Sequence, residues 1–370
     1  MPLQQKIEKS DSHKLLALDG GGIRGTITIE ILAKIEKLLQ DKLGKDDNFV
    51  LADYFDYIGG TSTGAIIATC LALGMRVSDI RKFYEESGRA MFDKANLLKR
   101  FRYTYEEKKL TLKLKEVFGK DTKLGDSKLK TLLLLILRNA TTDSPWPVSS
   151  NPKARYNLMT RTDSNLEFPL WKLVRASTAA PTYFPPENIQ VGANKFIFVD
   201  GGVTMYNNPA FQLFLMATLE PYALEWETGE NKMLLVSIGT GTAADANANL
   251  VADEMNLLYN ATSIPSALMF AASNEQDFLC RTFGKCVHGD ELDREVGNMC
   301  NVRGPMDYKL FSYVRYNANL SRRGLDDLDL FQIEPKNVQK MDSVDFISEL
   351  QNVGVAVANK VISDHFNDFL

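Results

Sequence analysis

The amino-acid sequence predicts an α/β fold with a largely parallel central sheet. In the first quarter of the chain, short aliphatic segments alternate with longer segments of helical periodicity, which is typical of parallel strands joined by helices. Glycine-rich turns follow two of the aliphatic segments, at 20–22 and 60–64. Apolar residues make up 45% of the 370 residues and charged residues 24%, a balance that suits a globular chain with a large buried core.

The elements of this first part follow from the spacing of apolar residues. Lys14–Leu18 is predicted to form a buried strand, and Thr26–Leu43 a helix, because isoleucines and leucines recur there at helical spacing. Tyr54–Ile58 is predicted to be a second strand. The segment Ala65–Leu73 is apolar on all sides, which indicates a helix buried in the core. A further helix is predicted at Val77–Phe92.

The pattern is less regular between Leu97 and Pro152. We predict a helix that contains Leu129–Leu137, and an exposed loop in the proline- and serine-rich stretch Asp143–Pro152. This region is either a lid over the site or a solvated insertion. Beyond it, the predicted strands are Arg155–Met159, Phe196–Val199 and Met233–Ile238, and the predicted helices are Leu170–Ala179, Pro209–Leu219, Glu254–Phe283 and Val344–Phe366.

Composition argues against a secreted, membrane-spanning, nucleic-acid-binding or metal-binding protein. Residues 1–14 form a polar N-terminal tail without the apolar core of a signal peptide, and no apolar run is long enough to span a membrane. Four cysteines without C-x-x-C spacing favour a reduced, cytoplasmic protein. A net charge of −4 gives no attraction to a nucleic acid duplex. No histidine or cysteine cluster offers a metal site, so no cofactor is expected.

Ser62 is the candidate nucleophile. It lies in Gly60-Thr61-Ser62-Thr63-Gly64, between a predicted strand and a predicted apolar helix. A nucleophile elbow requires this context, because the sharp turn exposes the serine hydroxyl and flanking glycines avoid collisions between side chains. The N-terminus of the following helix also favours negative charge nearby.

A second glycine-rich segment, Asp19-Gly20-Gly21-Gly22-Ile23-Arg24-Gly25, follows the first strand and precedes a helix. It matches the G-x-G-x-x-G dinucleotide fingerprint, but the acidic residues about 20 positions on lie in the charged loop 41–47 and not at a strand end. Alternatively, the amides of Gly21 and Gly22 form an oxyanion hole, with Arg24 adding positive charge. The serine elbow on the next strand favours the oxyanion hole.

Asp200 follows the predicted strand Phe196–Val199 and precedes two glycines. Such an aspartate either caps a turn or accepts the Ser62 proton. Its ordinary pKa of about 3.9 makes it a weak base unless burial and hydrogen bonding raise its basicity. The alternative is a triad of Ser62, Asp200 and either His288 or His365, although no motif surrounds these histidines.

Together these segments resemble the patatin-like phospholipase family. Two more stretches add to the resemblance, Ala176–Phe184 and Asn207-Asn208-Pro209. The similarity runs from about Leu15 to Ala217 and continues more weakly to Gly241. Five motifs in the family's order make it specific.

The resemblance implies a three-layer α/β/α fold, and the pattern of predicted elements indicates one α/β domain with a C-terminal elaboration. The resemblance also implies metal-independent hydrolysis of fatty acyl esters of phospholipids or other glycerolipids. Residues 15–217 would be the catalytic core, and residues 218–370 the rest of the same domain, a cap or regulatory region. The implied site residues are the nucleophile Ser62, the base Asp200 and, for the oxyanion hole, Gly20, Gly21, Gly22 and Arg24.

Two partners are expected, a small-molecule activator and a membrane surface. Some bacterial members are switched on by a cyclic nucleotide during antiviral defence, so a cyclic-nucleotide activator is one expectation, with Arg281, Arg294 and Arg315 among the basic residues of the C-terminal third. Transient contact with a phospholipid membrane is another, through the basic and aromatic stretch Lys99–Tyr105 unless that stretch is a solvated helix face. Two other classes remain open: a dinucleotide-binding oxidoreductase using the Gly20–Gly25 loop, and a catalytically inactive lipid-binding scaffold.

Overall fold

The computed structural model describes residues 3–92, 103–181, 183–242 and 257–370. A single sheet lies at its centre. The strands are β1 (His13–Leu18), β2 (Tyr57–Thr61), β3 (Leu132–Asn139), β4 (Ser144–Ser149), β5 (Glu187–Val191), β6 (Asn194–Asp200), β7 (Met233–Ile238), β8 (Lys285–His288) and β9 (Ser312–Tyr316).

Helices surround this sheet, and several short 3₁₀ turns connect the elements. The helices are α1 (Leu3–Glu8), α2 (Gly25–Lys42), α3 (Leu51–Tyr54), α4 (Thr63–Ala72), α5 (Val77–Phe92), α6 (Tyr103–Phe118), α7 (Leu170–Ser177), α8 (Ala210–Thr218), α9 (Leu257–Phe283), α10 (Arg322–Asp326), α11 (Pro335–Val338) and α12 (Ile347–Ala358). Across the four described ranges, no helix combines the length and the apolar character that a membrane crossing requires.

The sheet is mostly parallel, as the sequence predicts. The order along its main path is β5-β6-β3-β2-β1-β7-β9-β8, and β4 pairs with β3. Strands β3, β2, β1, β7, β9 and β8 are successively parallel, whereas β4, β5 and β6 form antiparallel pairs. Strands β7, β8 and β9 belong to the C-terminal part of the chain and extend the sheet beyond β1.

Both faces of the sheet are covered, which gives three layers. Leu16 and Leu18 of β1 belong to one core cluster, which includes residues of α2, α4 and α12. Leu15 and Ala17 of the same strand belong to a second cluster, which includes residues of α8. Because successive side chains of a strand point to opposite faces, this alternation places α8 opposite α2, α4 and α12. The predicted α/β/α arrangement is confirmed.

One edge of β3 fixes the relative position of two other strands. β4 pairs with β3 from Leu134 to Asn139, so β2 and β6 share the opposite edge. β2 runs parallel to β3 and ends with Thr61 opposite Ile136, while β6 runs antiparallel and ends with Asp200 opposite Leu137. The C-terminal ends of β2 and β6 therefore meet head to head.

The helix predicted at Leu129–Leu137 is wrong, since Leu132–Asn139 form strand β3. A short uninterrupted aliphatic run has no periodicity that distinguishes a buried helix from a strand buried on both faces. The loop predicted at Asp143–Pro152 is also wrong, because β4 occupies most of it. Pro145 and Pro147 are tolerated because β4 pairs only with β3 among the described strands, and their missing N–H groups lie on its outer edge.

Three other predicted elements differ from the structure, two of them only in a boundary. The second strand begins at Tyr57 and not at Tyr54, because Leu51–Tyr54 form a helical turn that the Asp53 side chain caps by accepting the Val50 amide proton at 3.1 Å. The strand predicted at Arg155–Met159 is wrong, and Arg155–Asn157 form a 3₁₀ turn. The last long helix ends at Ala358, and 3₁₀ turns lie on both sides of it.

Candidate active site

Ser62 occupies a sharp turn between β2 and α4. Its backbone has φ 54° and ψ −120°, a left-handed conformation that is costly for a residue with a side chain. Two hydrogen bonds hold Ser62 in this conformation. Its amide donates to Ser177 Oγ at 3.0 Å, and its carbonyl accepts from the Ala65 amide at 2.9 Å. The turn therefore has the strained geometry of a nucleophile elbow.

Two glycines allow this turn to pack closely against the sheet. A Cβ atom at Gly60 would lie 2.1 Å from the Gly64 carbonyl oxygen, and one at Gly64 would lie 2.3 Å from the Leu18 carbonyl oxygen. Both distances are far below van der Waals contact. The sequence Gly-x-Ser-x-Gly is thus required by the close approach of α4 to the ends of β1 and β2.

Asp200 contacts the candidate nucleophile directly. The Ser62 hydroxyl donates to Asp200 Oδ2 at 2.6 Å, and the Gly202 amide donates to Oδ1 at 2.6 Å. Asp200 is only 4% exposed. Burial raises the pKa of its carboxyl group to about 6, although the hydrogen bonds from Ser62 and Gly202 oppose this shift. The serine is therefore paired with a carboxylate that is more basic than an ordinary aspartate.

The structure does not form the alternative triad of Ser62, Asp200 and a histidine. None of the three histidines, all within the described residues, is hydrogen-bonded to Ser62 or Asp200. His288 and His365 stack on each other at 4.5 Å between ring centroids, and His365 Nδ1 lies 2.7 Å from the Tyr316 hydroxyl. His13 stacks on Trp226.

The glycine loop lies beside the serine. A Cβ atom at Gly20 would be 3.3 Å from Ser62 Cβ. The Gly20 amide donates to the Asn207 carbonyl at 3.0 Å, and the Gly20 carbonyl accepts from the Thr240 hydroxyl at 2.8 Å. The Gly20 amide is thus already used by the fold, which conflicts with its predicted place in an oxyanion hole.

Gly21 and Gly22 differ from Gly20 in this respect. Among the residues that the structure describes, no acceptor is bonded to either of their amides. A Cβ atom at Gly21 would lie 2.1 Å from Thr240 Oγ1, and one at Gly22, where φ is +62°, would lie 2.3 Å from the Met341 carbonyl oxygen. Glycine is required at both positions because the neighbouring segments approach so closely. Within the described part of the chain, two unpaired amides therefore remain in the loop that lies beside Ser62.

Arg24 is half-buried at the end of this loop. Its Nη1 donates to the Gln339 carbonyl at 3.2 Å and its Nε to the Gly21 carbonyl at 3.5 Å. Burial lowers the pKa of Arg24 to about 10, against the opposite effects of Asp19 and Tyr183, so the side chain stays cationic at neutral pH. Its hydrogen bonds join the loop to the C-terminal part of the chain.

An ion pair that the sequence analysis missed anchors the first residue of the loop. Arg315 of β9 donates to both carboxylate oxygens of Asp19, at 2.9 and 2.6 Å, and also to Ser237 Oγ at 2.6 Å. Asp19 and Arg315 are both buried. The only sequence signal is a charged residue between Val314 and Tyr316, inside a short run of strand-forming residues.

Two further polar residues support the turn and its surroundings. Ser177 accepts from the Ser62 amide and donates to the Ile136 carbonyl at 2.7 Å. Asn208 Oδ1 accepts from the Ala210 amide at 3.0 Å. Both lie in stretches that carried the family resemblance, although the sequence did not assign them a role.

Replacing Arg315 with methionine is expected to lower the free energy of unfolding by about 3–5 kcal/mol, because the Asp19 carboxylate would stay buried without its partner. The double variant Asp19→Leu/Arg315→Met should be more stable than Arg315→Met alone, since it leaves no unpaired buried charge. Urea unfolding followed by circular dichroism measures both values.

The matched control is Arg303→Met, because Arg303 and its partner Asp307 are both exposed. It should change the free energy of unfolding by no more than about 0.5 kcal/mol. A similar small loss for Arg315→Met would show that the buried pair does not anchor the loop.

Comparison with known proteins agrees with these features. The profile of the patatin-like phospholipase family matches residues 16–214. Patatin-T5 from Solanum tuberosum is 29% identical over 258 residues, which cover 65% of this chain and 63% of that protein. Patatin-17 from Solanum cardiophyllum is 30% identical over the same shares. The chain thus spans less than two thirds of the length of these curated relatives.

Two solved structures can be superimposed on most of this chain with low scores. One is human GIVD cytosolic phospholipase A2 in complex with methyl γ-linolenyl fluorophosphonate. The alignment covers 99% of this chain and 61% of that chain, with a TM-score of 0.45 and 12% identity. The other is VipD from Legionella pneumophila. The alignment covers 92% of this chain and 67% of that chain, with a TM-score of 0.38 and 16% identity. Since the family profile spans more than half of the sequence, the chain belongs to the patatin-like phospholipase family.

Proposed function

We propose that the protein is a serine lipid acyl hydrolase that cleaves fatty acyl esters of phospholipids or glycerolipids with a Ser62–Asp200 dyad. The observation that carries this proposal is the 2.6 Å hydrogen bond from the Ser62 hydroxyl to a buried carboxylate. Membership in the patatin-like phospholipase family supports the same class of reaction.

In the first step, Ser62 Oγ attacks the ester carbonyl carbon while its proton passes to Asp200 Oδ2. The carbonyl oxygen becomes an oxyanion, for which the amides of Gly21 and Gly22 are the available donors. One such donor is typically worth about 2.7–4 kcal/mol of transition-state stabilisation. The tetrahedral intermediate then expels the alcohol, which takes the proton from Asp200, and the acyl group stays on Ser62.

The second step repeats the first with water as the nucleophile. Asp200 accepts a proton from the water molecule that attacks the acyl-Ser62 ester, and the same amides hold the oxyanion. Collapse of this intermediate releases the fatty acid and returns a proton to Ser62. The same carboxylate therefore acts as base and acid in turn.

The oxidoreductase alternative has little support from the glycine loop. β2, the strand after the loop, ends at Thr61 and is followed by Ser62, where a dinucleotide site needs a carboxylate. Asp41 is exposed and pairs with Lys37. A catalytically inactive scaffold does not require a strained serine bonded to a buried aspartate, so the Ser62 geometry favours an enzyme.

Activation by a cyclic nucleotide remains a prediction. Of the basic residues considered for it, Arg315 is bonded to Asp19, and Arg281 donates to both carboxylate oxygens of Asp277 at 2.9 and 2.8 Å. These two guanidinium groups therefore serve internal ion pairs and do not favour an anion site. Arg294 is exposed.

Membrane contact is a proposal that rests on three exposed apolar side chains, two that follow Asp200 in the chain and one on α9. The stretch Lys99–Tyr105, which the sequence suggested for this contact, lies outside the described residues up to position 102, and the side chains of 103–105 are not described either. Val203 and Met205 follow Asp200 in the chain and are 39% and 45% exposed, and Leu268 of α9 is 65% exposed. The residue after Leu268, Met269, has its Cε only 3.6 Å from the position of a Cβ on Gly202. We call these three side chains the apolar rim.

Ser62→Ala and Asp200→Asn are each expected to lower fatty-acid release from mixed phospholipid vesicles by on the order of 10³-fold or more, because each removes one partner of the proton transfer. A fluorophosphonate probe should label the wild type and not Ser62→Ala. His288→Gln and His365→Gln are the controls and should retain activity. Release that persists in Ser62→Ala would contradict the dyad, and the same assay with a panel of cyclic nucleotides tests activation.

The rate of hydrolysis should depend on the ionised form of Asp200. With its pKa raised to about 6 by burial, kcat/KM is expected to fall about tenfold for each pH unit below 6 and to level off above it. A pH profile from 4.5 to 8 measures this, and a kcat/KM that stays constant down to pH 5 would contradict it.

The stability of the protein gives a second readout of the same group. Because the folded-state pKa is above the unfolded one, the folded state binds more protons between about pH 4 and 6, and wild-type stability should fall as the pH rises through that range. Asp200→Asn should lack this part of the fall.

Met205→Asp and Leu268→Asp are expected to reduce hydrolysis of vesicles about tenfold more than hydrolysis of a short-chain soluble ester, because each removes an apolar side chain from the membrane contact. Val355→Asp is the control, since Val355 is exposed on α12. Equal losses on both substrates would mean that the rim does not contact the membrane.

A further inference from the structure

Two of the four cysteines lie next to each other in the C-terminal part of the chain. Cys286 is buried on β8 and Cys300 is half-buried in the loop that follows, with their sulfur atoms 3.5 Å apart. We propose that Cys286 and Cys300 form a reversible dithiol site, which a hydroperoxide oxidises to an intrachain disulfide. This proposal does not depend on the hydrolase function.

The backbone around Cys300 is held in an unusual conformation. Met299 and Asn301, on either side of it, have φ values of 53° and 65°, which are costly for residues other than glycine and persist only where surrounding contacts fix them. Here the Cys300 amide donates to Asn298 Oδ1 at 3.0 Å, and Arg281 Nη1 donates to the Asn298 carbonyl at 2.8 Å. These contacts hold the Cys300 sulfur against Cys286.

The two thiols are suited to different steps of the oxidation. Cys300 is the more accessible to a small oxidant. Burial raises the pKa of Cys286 to about 12, despite the opposing charge of Arg281, so Cys286 stays protonated and donates through its thiol to the Asn298 carbonyl at 3.6 Å. Cys300 is therefore the residue that reacts first, and Cys286 the one that resolves it.

The chemistry balances with one hydroperoxide. Cys300 loses its proton to solvent, and the thiolate attacks one peroxide oxygen and breaks the O–O bond. This step gives a sulfenic acid and releases hydroxide from hydrogen peroxide, or alkoxide from an organic hydroperoxide. The Cys286 sulfur then attacks the Cys300 sulfur, an S–S bond forms, and the S–OH oxygen leaves as water with the Cys286 proton. The hydroxide or alkoxide takes up the proton that Cys300 released. The two thiols lose two electrons in total, and the peroxide is reduced to two molecules of water, or to one of water and one of alcohol.

The disulfide would act on a part of the fold that reaches the candidate active site. Arg281, whose guanidinium holds the Cys300 loop, lies at the end of α9. Earlier in the same helix, Ser273 Oγ lies 3.3 Å from Asn207 Nδ2, and the Asn207 carbonyl binds the glycine loop. A bridge between β8 and the Cys300 loop would therefore fix one end of the helix that borders the site.

The other two cysteines serve as internal controls. Cys70 in α4 and Cys280 in α9 are both fully buried, and burial raises the pKa of the Cys70 thiol to about 12. Neither has a sulfur partner among the described residues. A selective oxidation should therefore consume only Cys286 and Cys300.

The test treats the full chain with hydrogen peroxide, unfolds it in iodoacetamide and determines the intact mass. Before treatment all four cysteines should be alkylated. After treatment we expect two alkylated cysteines, a peptide linked between Cys286 and Cys300, and recovery of four on reduction with dithiothreitol.

Two variants make the result decisive. Cys300→Ser should keep its three remaining thiols alkylatable after peroxide, and Cys286→Ser should let dimedone trap the sulfenic acid on Cys300. The proposal is overturned if all four wild-type thiols survive peroxide, if Cys300 passes to sulfinic acid without a cross-link, or if the linked peptide contains Cys70 or Cys280.

Discussion

The candidate active site depends on the register of one strand, β3. Its edge pairs with β2 up to Ile136 and with β6 from Leu137 onward, so two strands that run in opposite directions end beside each other. Ser62 and Asp200 are 138 residues apart in sequence, yet each is at or just beyond the last residue of its strand. The hydrogen bond between them is therefore fixed by backbone pairing in the core. Precise placement of this kind is easier on rigid elements than on loops.

The C-terminal part of the chain is needed to shape the loop that faces this pair. Thr240, Met341 and Arg315 each contact the segment from Asp19 to Ile23, although the family profile ends at residue 214. Gly21 and Gly22 are glycines because these later segments leave no room for a Cβ atom. The loop amides that have no acceptor among the described residues are thus placed by packing against residues that carry no recognisable motif.

The sequence predicted well those features that local patterns determine. The strand at β1, the helices α2, α4, α5 and α8, and the serine turn follow from periodicity and glycine placement, and the structure has them within a few residues. The prediction failed at β3 and β4, because an all-aliphatic run and a proline-rich stretch look the same in a strand as in other elements. The pairing of Arg315 with Asp19 was missed because the two residues are 296 positions apart, and no local pattern can indicate such a partner.

A carboxylate that serves as a base for serine must be buried enough to be basic and hydrogen-bonded enough to stay ionised. The surroundings of Asp200 meet both requirements. Burial disfavours the charged form and raises basicity, but burial without hydrogen bonds would leave the group protonated and unable to accept a proton. The Gly202 amide and the Ser62 hydroxyl each donate to one oxygen of the carboxylate, which keeps the charged form accessible near neutral pH. The two glycines after Asp200 matter for this balance, because a Cβ at Gly201 would lie 2.2 Å from the Ile136 carbonyl. The Asp-Gly-Gly sequence thus fixes both the position and the basicity of the proposed base, as the proposed dyad requires.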